Sequence, residues 1–294
     1  MPLIRRSNWK IENHNPMPTL SAIDIETKLH TLAEEYSRET YPAEHRHHLG
    51  ISIIGDDCSR KLWYSFRWVK LIQHEGRMRR LFNRGHREEA LFEKFLLWAG
   101  FTLRTIDPET DKQYKLSLVN GHYGGSGDGI ALIRWLDDLP VLAEFKTHNN
   151  KSFTELKEKG IKAAKPQHWD QMCGYGKDFK IKYAVYCAVN KDNDEWYFKF
   201  LELDWNRALE LEKKAADIIY AKSPPPKINE NPSYWKCKFC DHKGTCHDNE
   251  PVEKNCRSCV FASPIDGGKW SCEKYGEIPK NYLIKGCGEW KGIV

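Results

Sequence analysis

The chain is 294 residues long, room for one large domain or for a core domain with a small appendage. Charged residues make up 30% of it, and no apolar run approaches the roughly 20 residues of a membrane-spanning helix, so a bundle of such helices is excluded and no membrane partner is expected. The net charge of +5 is too mild to name a partner by itself.

Residues 1–20 read as an arm, and 21–40 as an amphipathic helix, because Ile23, Ile25, Leu29, Leu32 and Ala33 recur near helical spacing. His45, His47 and His48 fall in a loop. Two further helices are predicted over 52–69 and 77–99, the second ended by Gly100. From Arg60 to Arg87 nine Lys and Arg residues face one acid, Glu75, with Trp63, Tyr64, Phe66, Trp68 and Phe82 among them. Such a stretch suits a phosphate backbone with stacked bases, and Arg60, Lys61, Trp63 and Arg84 are its candidate DNA contacts. The pattern then turns to short strands at 101–106, 113–119, 128–135 and 141–147. Helices are predicted at 152–164 and 166–174, strands at 182–189 and 195–203, and a closing helix at 204–221. Ser223-Pro-Pro-Pro226 breaks the chain, and the remainder has few apolar runs but seven of the ten cysteines.

The segment Val141-Leu142-Ala143-Glu144-Phe145-Lys146 sets an acid and a lysine after three apolar residues. Alternation along a strand projects Glu144 and Lys146 to one side, and Asp128, leaving a Gly-rich turn, is placed to meet them. The same acid-x-Lys triplet recurs at Glu155, Glu212 and Glu289, in helical or cysteine-rich surroundings, so context rather than the triplet selects Glu144. Upstream, Gly85 precedes Glu89 by four residues; downstream, Gln171 precedes Tyr175 by four, one turn along a helix.

This ordered set, Gly85…Glu89, Asp128, Glu144/Lys146 and Gln171…Tyr175, resembles the PD-(D/E)xK nuclease superfamily. Within it the set is similar to the RecB/AddB nuclease domains and to the YqaJ or lambda-exonuclease group. The resemblance covers roughly 52–250 and departs from the pattern in having Gly127 where a proline precedes the first acid. It implies an α/β (α+β) fold with a restriction-endonuclease-like core, a mixed central sheet flanked by helices. Glu89, Asp128 and Glu144 would hold Mg²⁺ or Mn²⁺, which prefer oxygen ligands, and Lys146 would orient the attacking water or stabilise the scissile phosphate. Gln171 and Tyr175 would support the site and touch DNA.

No export signal is evident, so a cytoplasmic, reducing setting is expected, and the cysteines are expected to bind metal. One parse takes Cys237, Cys240, Cys256 and Cys259 as a zinc ribbon and leaves four others unused. The second rests on a resemblance of the Cys58 segment to iron–sulfur nucleases of the AddB and CRISPR-adaptation type. There Cys58 joins Cys237, Cys240 and Cys246 around a 4Fe–4S cluster, and Cys256, Cys259, Cys272 and Cys287 form a second set, for zinc or a second iron–sulfur cluster. It leaves none of these eight unused and is preferred. Cys173 and Cys187 read as buried thiols.

The expected organisation is an arm and helix over 1–50, a nuclease core over 51–222, an iron–sulfur segment over 223–250 closing on Cys58, and a cysteine-rich, metal-bound module over 251–294. The expected function is a metal-dependent DNA nuclease. The resemblance makes it an exonuclease on single strands or ends, acting in recombination, repair or CRISPR-adaptation processing beside a recombination or helicase partner. The alternative is a non-catalytic, iron–sulfur- or zinc-organised nucleic-acid-binding subunit.

Overall fold

The structure, a computed structural model, describes residues 22–108 and 110–294. The arm expected over 1–20 lies outside the described residues. Two compact units emerge, one containing residues up to Pro42 together with His74–Arg80, the other Ala43–Gln73 together with Leu81–Val294. In the first, helix α1 (Ala22–Thr40) is tied to the start of helix α3 (Gly76–Trp98) by Glu34. Its carboxylate accepts the Gly76 N–H at 2.6 Å and pairs with Arg80 at 3.1 Å. None of the helices is long and apolar enough to cross a membrane, among the described residues.

The second unit is mixed α/β, built on a five-stranded sheet. Its strands are β1 (Phe101–Arg104), β2 (Gly129–Ile133), β3 (Leu139–His148), β4 (Tyr183–Asn190) and β5 (Trp196–Glu202), lying side by side in that order. All neighbours are antiparallel except β3 and β4. A parallel pair needs a crossover, and helices α4 (Asn150–Ala164) and α5 (Pro166–Asp178) supply it. Asn149 caps α4 by accepting the Ser152 N–H at 2.9 Å, and Pro166 opens α5, where a missing N–H costs nothing.

Alternation along β3 divides the core. Val141, Ala143 and Phe145 pack with Phe92 and Leu96 of α3, whereas Leu142 joins Phe153, Leu156 and Met172 of α4 and α5. Glu144, Lys146 and His148 continue the Leu142 face. Helix α6 (Trp205–Ile219), capped by Asp204, closes that side, and Arg207 forks onto the buried Asp170 of α5 at 2.7 and 2.8 Å.

Three elements differ from the sequence reading. Helix α2 is only Ser59–Phe66: residues 51–55 form turns, and Trp68 at φ 52° lies beyond the helix end. The glycines before Asp128 form no turn. Gly124 and Gly125 lie in strand Tyr123–Ser126, between Leu49–Gly50 and Lys115–Leu118, and Gly127 follows it. A Cβ on Gly124 would sit 2.1 Å from the Leu116 carbonyl oxygen and one on Gly125 2.6 Å from the Tyr175 hydroxyl, so only glycine allows this approach. The 251–294 module has a meander of its own, Ala262–Ile265, Lys269–Cys272 and Gly276–Ile278, with Trp270 buried against Phe66.

Candidate active site

Asp128 sits just before β2, and the β2–β3 register pairs Gly129 with Ala143, which brings its carboxylate beside Glu144 and Phe145. Asp128 Oδ2 accepts the Phe145 N–H at 2.8 Å and lies 3.8 Å from Lys146 Nζ. Lys146 Nζ also pairs with Glu144 Oε1 and donates to the Phe145 carbonyl at 3.1 Å. Glu144 is 0% exposed, and its Oε2 has no hydrogen-bond partner among the described residues. Burial pushes the Glu144 carboxyl up to about 7; Lys146 pulls the other way, and Asp128 and Glu89 add repulsion. Burial also opposes the charge of Lys146, but Glu144, Asp128 and Glu89 together outweigh it and hold the ammonium protonated.

Of these groups Phe145 and Lys146 border a cleft of about 700 Å³. Glu89 and Glu88 line it from α3, Lys146 and His148 from β3, Lys165, His168 and Gln171 from the α4–α5 side, and Lys191 from beyond β4. Glu89 contacts His86 at 3.3 Å, and Glu88 pairs with Arg84 at 3.5 Å. Gln171 therefore reaches the cleft. Tyr175 does not line it. Its hydroxyl is buried behind, donating to the Ser126 carbonyl at 2.6 Å, two residues before Asp128. Contact of Tyr175 with DNA is therefore replaced by a hold on the backbone that presents Asp128.

Three groups in and behind this cleft escaped the sequence reading. His148 Nε2 and His168 Nδ1 both meet the Tyr186 hydroxyl, at 3.0 and 2.8 Å, and His148 Nδ1 meets Ser152 Oγ at 3.0 Å. Burial, with Lys165 and Lys146 nearby, lowers His148 to about 4 and His168 to about 3, so both rings are neutral at pH 7. His148 extends the 144/146 alternation by one step, a signal that was there to be read.

The aromatic stretch is corrected. Trp63, Tyr64, Phe66 and Trp68 are all buried, and the Trp63 indole donates to the Ala221 carbonyl at 3.0 Å, so these rings cannot stack on bases. Arg60 donates to the Pro225 carbonyl, and Lys61 pairs with Asp56 at 2.8 Å. Arg84 borders the cleft region through Glu88 and donates to the Lys191 carbonyl at 2.9 Å.

The cysteines gather as two sets of four. Cys58, Cys237, Cys240 and Cys246 line one cavity of about 440 Å³; Cys256, Cys259, Cys272 and Cys287 line another of about 400 Å³. None of the ten cysteines forms a disulfide. Among the described residues no three His, Cys, Asp or Glu side chains form a group that could hold a metal ion, so the metal-bound character expected for the C-terminal region and for Glu89, Asp128 and Glu144 is not shown. At the carboxylates the physical reason is in view: the Lys146 ammonium pairs with both Glu144 and Asp128, the place a cation would take.

No protein-family model and no curated protein matches the chain. Solved structures do. An alkaline exonuclease from Laribacter hongkongensis, LHK-Exo, is 16% identical over 63% of this chain and 90% of its own, with a TM-score of 0.42. Its complex with dAMP gives 16% identity, 61% and 90% coverage, and a TM-score of 0.42. The structure of SSO0001 is 18% identical over 74% of this chain and 96% of its own, with a TM-score of 0.41. Likeness this loose carries no argument, and the functional reading rests on the site.

Proposed function

We propose that the chain is a metal-dependent nuclease that hydrolyses the phosphodiester backbone of DNA, with its core over 51–222. The observation that carries this is the meeting of Asp128 and Glu144 on Lys146, which borders a cleft lined also by Lys165 and Lys191. The donor set fits a hard divalent cation: the unpartnered Glu144 Oε2, the Asp128 carboxylate and the Phe145 carbonyl are all oxygen donors, with Glu89 in reach electrostatically. Mg²⁺ or Mn²⁺ bound there would supply Lewis acidity and an activated water.

The chain's own groups do the rest. Lys146, released from Glu144, would turn its ammonium toward the scissile phosphate and neutralise charge as it develops. Lys165 and Lys191 would draw the backbone into the cleft, and Gln171 would orient a phosphate oxygen or the attacking water. The neutral His148 and His168, fixed through Tyr186, offer hydrogen bonds without adding positive charge beside the cation. The test is cleavage of end-labelled single- and double-stranded DNA with Mn²⁺, comparing the parent with Glu144→Gln. Loss of at least about 100-fold is expected; equal cleavage by both proteins would sink the catalytic assignment.

The finer reading follows the sequence resemblance: an exonuclease on single strands or ends, acting in the cytoplasm in recombination, repair or CRISPR-adaptation processing, beside a recombination or helicase partner. In the same reading Cys58, Cys237, Cys240 and Cys246 hold a 4Fe–4S cluster that ties α2 to the 223–250 segment. Their convergence on one cavity, from positions 179 to 188 residues apart, supports it. Cys256, Cys259, Cys272 and Cys287 form a second four-thiolate metal site.

A further inference from the structure

Strand β5 is the last strand of the five-stranded sheet, and among the described residues no strand pairs with its outer side. Which groups face that side follows from its two ends. The Glu195 carbonyl accepts the Asn190 N–H at 2.8 Å, and the Leu203 N–H donates to the Lys182 carbonyl at 2.8 Å. The odd-numbered residues therefore bond β4, and Trp196, Phe198, Phe200 and Glu202 turn their N–H and C=O outward. The side chains of this edge do not suit water. Trp196, Phe198 and Phe200 are 39%, 41% and 48% exposed. Phe95 of α3 touches the first two rings, at 5.1 and 5.0 Å between centroids, without covering them. An edge strand left to solvent is ordinarily short, twisted away by a bulge, or guarded by proline or charge. This one runs seven residues in unbroken register with β4, has no proline, and carries Lys199 as its only charge before the terminal Glu202.

The charges beside these rings say what fits the edge. Glu195, Tyr197 and Lys199 share the opposite face of the sheet, two residues apart. Glu195 pairs with Lys157 at the surface, and Lys199 pairs with no acid among the described residues. Laid antiparallel on β5 with a two-fold axis at Tyr197, a second β5 sets Glu195 of each copy opposite Lys199 of the other. Trp196 of each copy then faces Phe198 of the other. An axis at Phe198 instead sets Lys199 opposite Tyr197 and Glu195 opposite Leu201, and an axis at Lys199 sets two lysines face to face, where they repel. All three registers join outward-facing backbone groups, so charge makes the choice.

We infer that β5 is the interface of a two-fold dimer of this chain, in which the sheets of two copies join edge to edge about Tyr197. The strand is complementary to itself, as a closed two-fold contact requires. The joined ladder satisfies the outward N–H and C=O groups, Trp196 and Phe198 cover each other across it, and Lys199 gains the carboxylate it lacks in one copy.

The experiment is sedimentation equilibrium of the full chain over a range of concentrations, for the parent, Lys199→Glu and the charge-swapped double variant Glu195→Lys with Lys199→Glu. Both side chains are exposed, so the fold tolerates the changes. The parent is expected to be a dimer, Lys199→Glu to weaken its association about tenfold or more, and the swap to recover it to within about threefold. A second readout fixes the register. On the two-fold axis the Tyr197 positions form a non-hydrogen-bonded pair, with Cα atoms about 4.5 Å apart, inside the range of a disulfide. The Tyr197→Cys variant treated with diamide is therefore expected to give a disulfide-linked dimer that the parent does not give. A parent that stays monomeric at every concentration overturns the inference, whatever then covers the edge. A dimer that Lys199→Glu does not weaken, or that Tyr197→Cys does not link, has its interface elsewhere and overturns it too.

Discussion

Beside the cleft, Glu144 is buried against its own counter-ion, Lys146, which borders the open space. Where α2 meets the C-terminal module, Arg67 and Arg257 are buried against carbonyls and aromatic faces, and among the described residues neither pairs with a carboxylate. Both regions hold charge away from water, yet the purposes differ. Glu144 leaves an oxygen unpartnered, which under the proposed function is a donor for the cation once Lys146 moves aside. The guanidiniums spend their donors on backbone from distant parts of the chain, so their arrangement is rigid and structural. In the proposed function the charge paired beside the cleft serves chemistry; charge locked on carbonyls serves assembly.

The contrast can be broken at its sharpest point with Lys146→Met. DNA cleavage is expected to fall by about 100- to 1,000-fold, while the thermal midpoint, compared at pH 5 where the buried Glu144 is protonated and needs no counter-ion, stays near that of the parent. A drop in stability at pH 5 would mean that the lysine is an assembly element like Arg257. Trp270→Ala tests the other side: truncating this fully buried ring is expected to cost about 3–5 kcal/mol in denaturant unfolding. If Trp270→Ala unfolds at the parent's midpoint, the module does not lean on its aromatic layer.

Acidity separates the regions further. A glutamate in the unfolded chain titrates near 4.5, and Glu144 in the folded protein near 7. The folded state therefore holds the proton longer. Without metal, stability is full below about 4.5 and declines as pH rises through 7, by up to about 3 kcal/mol. Unfolding in EDTA between pH 5 and 8 should show that decline in the parent and a flatter profile in Glu144→Gln. Divalent-cation affinity should run the opposite way, weakening about tenfold for each unit below pH 7, as titration calorimetry would show. Tyr175→Phe is the smallest change: loss of one hydrogen bond to Ser126, about 1 kcal/mol, with cleavage slowed through Asp128 rather than abolished.

Most of the main unit could be read from sequence because its strands and helices carry unambiguous periodicity. Val141-Leu142-Ala143 announces a buried strand, and Asp204 announces the start of α6. Glu144 and Lys146 were found because strand alternation is local arithmetic. The failures have a common cause. Trp63 and Trp68 have the composition of a base-stacking surface, but which way a ring faces depends on partners such as Ala221 and Arg257, far along the chain. Gly124 and Gly125 look like a turn because nothing local reveals that Leu116 and Tyr175 lie too close for any side chain. The 251–294 segment seemed coreless for the same reason: Trp270 finds its apolar partner in Phe66, about 200 residues earlier.

Arg257 joins three places at once: the His47 carbonyl, the Phe66 carbonyl and the rings of Trp68 and Trp270. During synthesis the ribosome delivers His47, Phe66 and Trp68 long before residue 257 leaves the exit tunnel. The layer around α2 must wait, unfinished, until nearly the whole polypeptide has emerged, while the sheet that carries Glu144 already has all of its strands. A nascent chain stalled short of residue 257 should therefore protect the sheet from protease and leave the α2 region open to it.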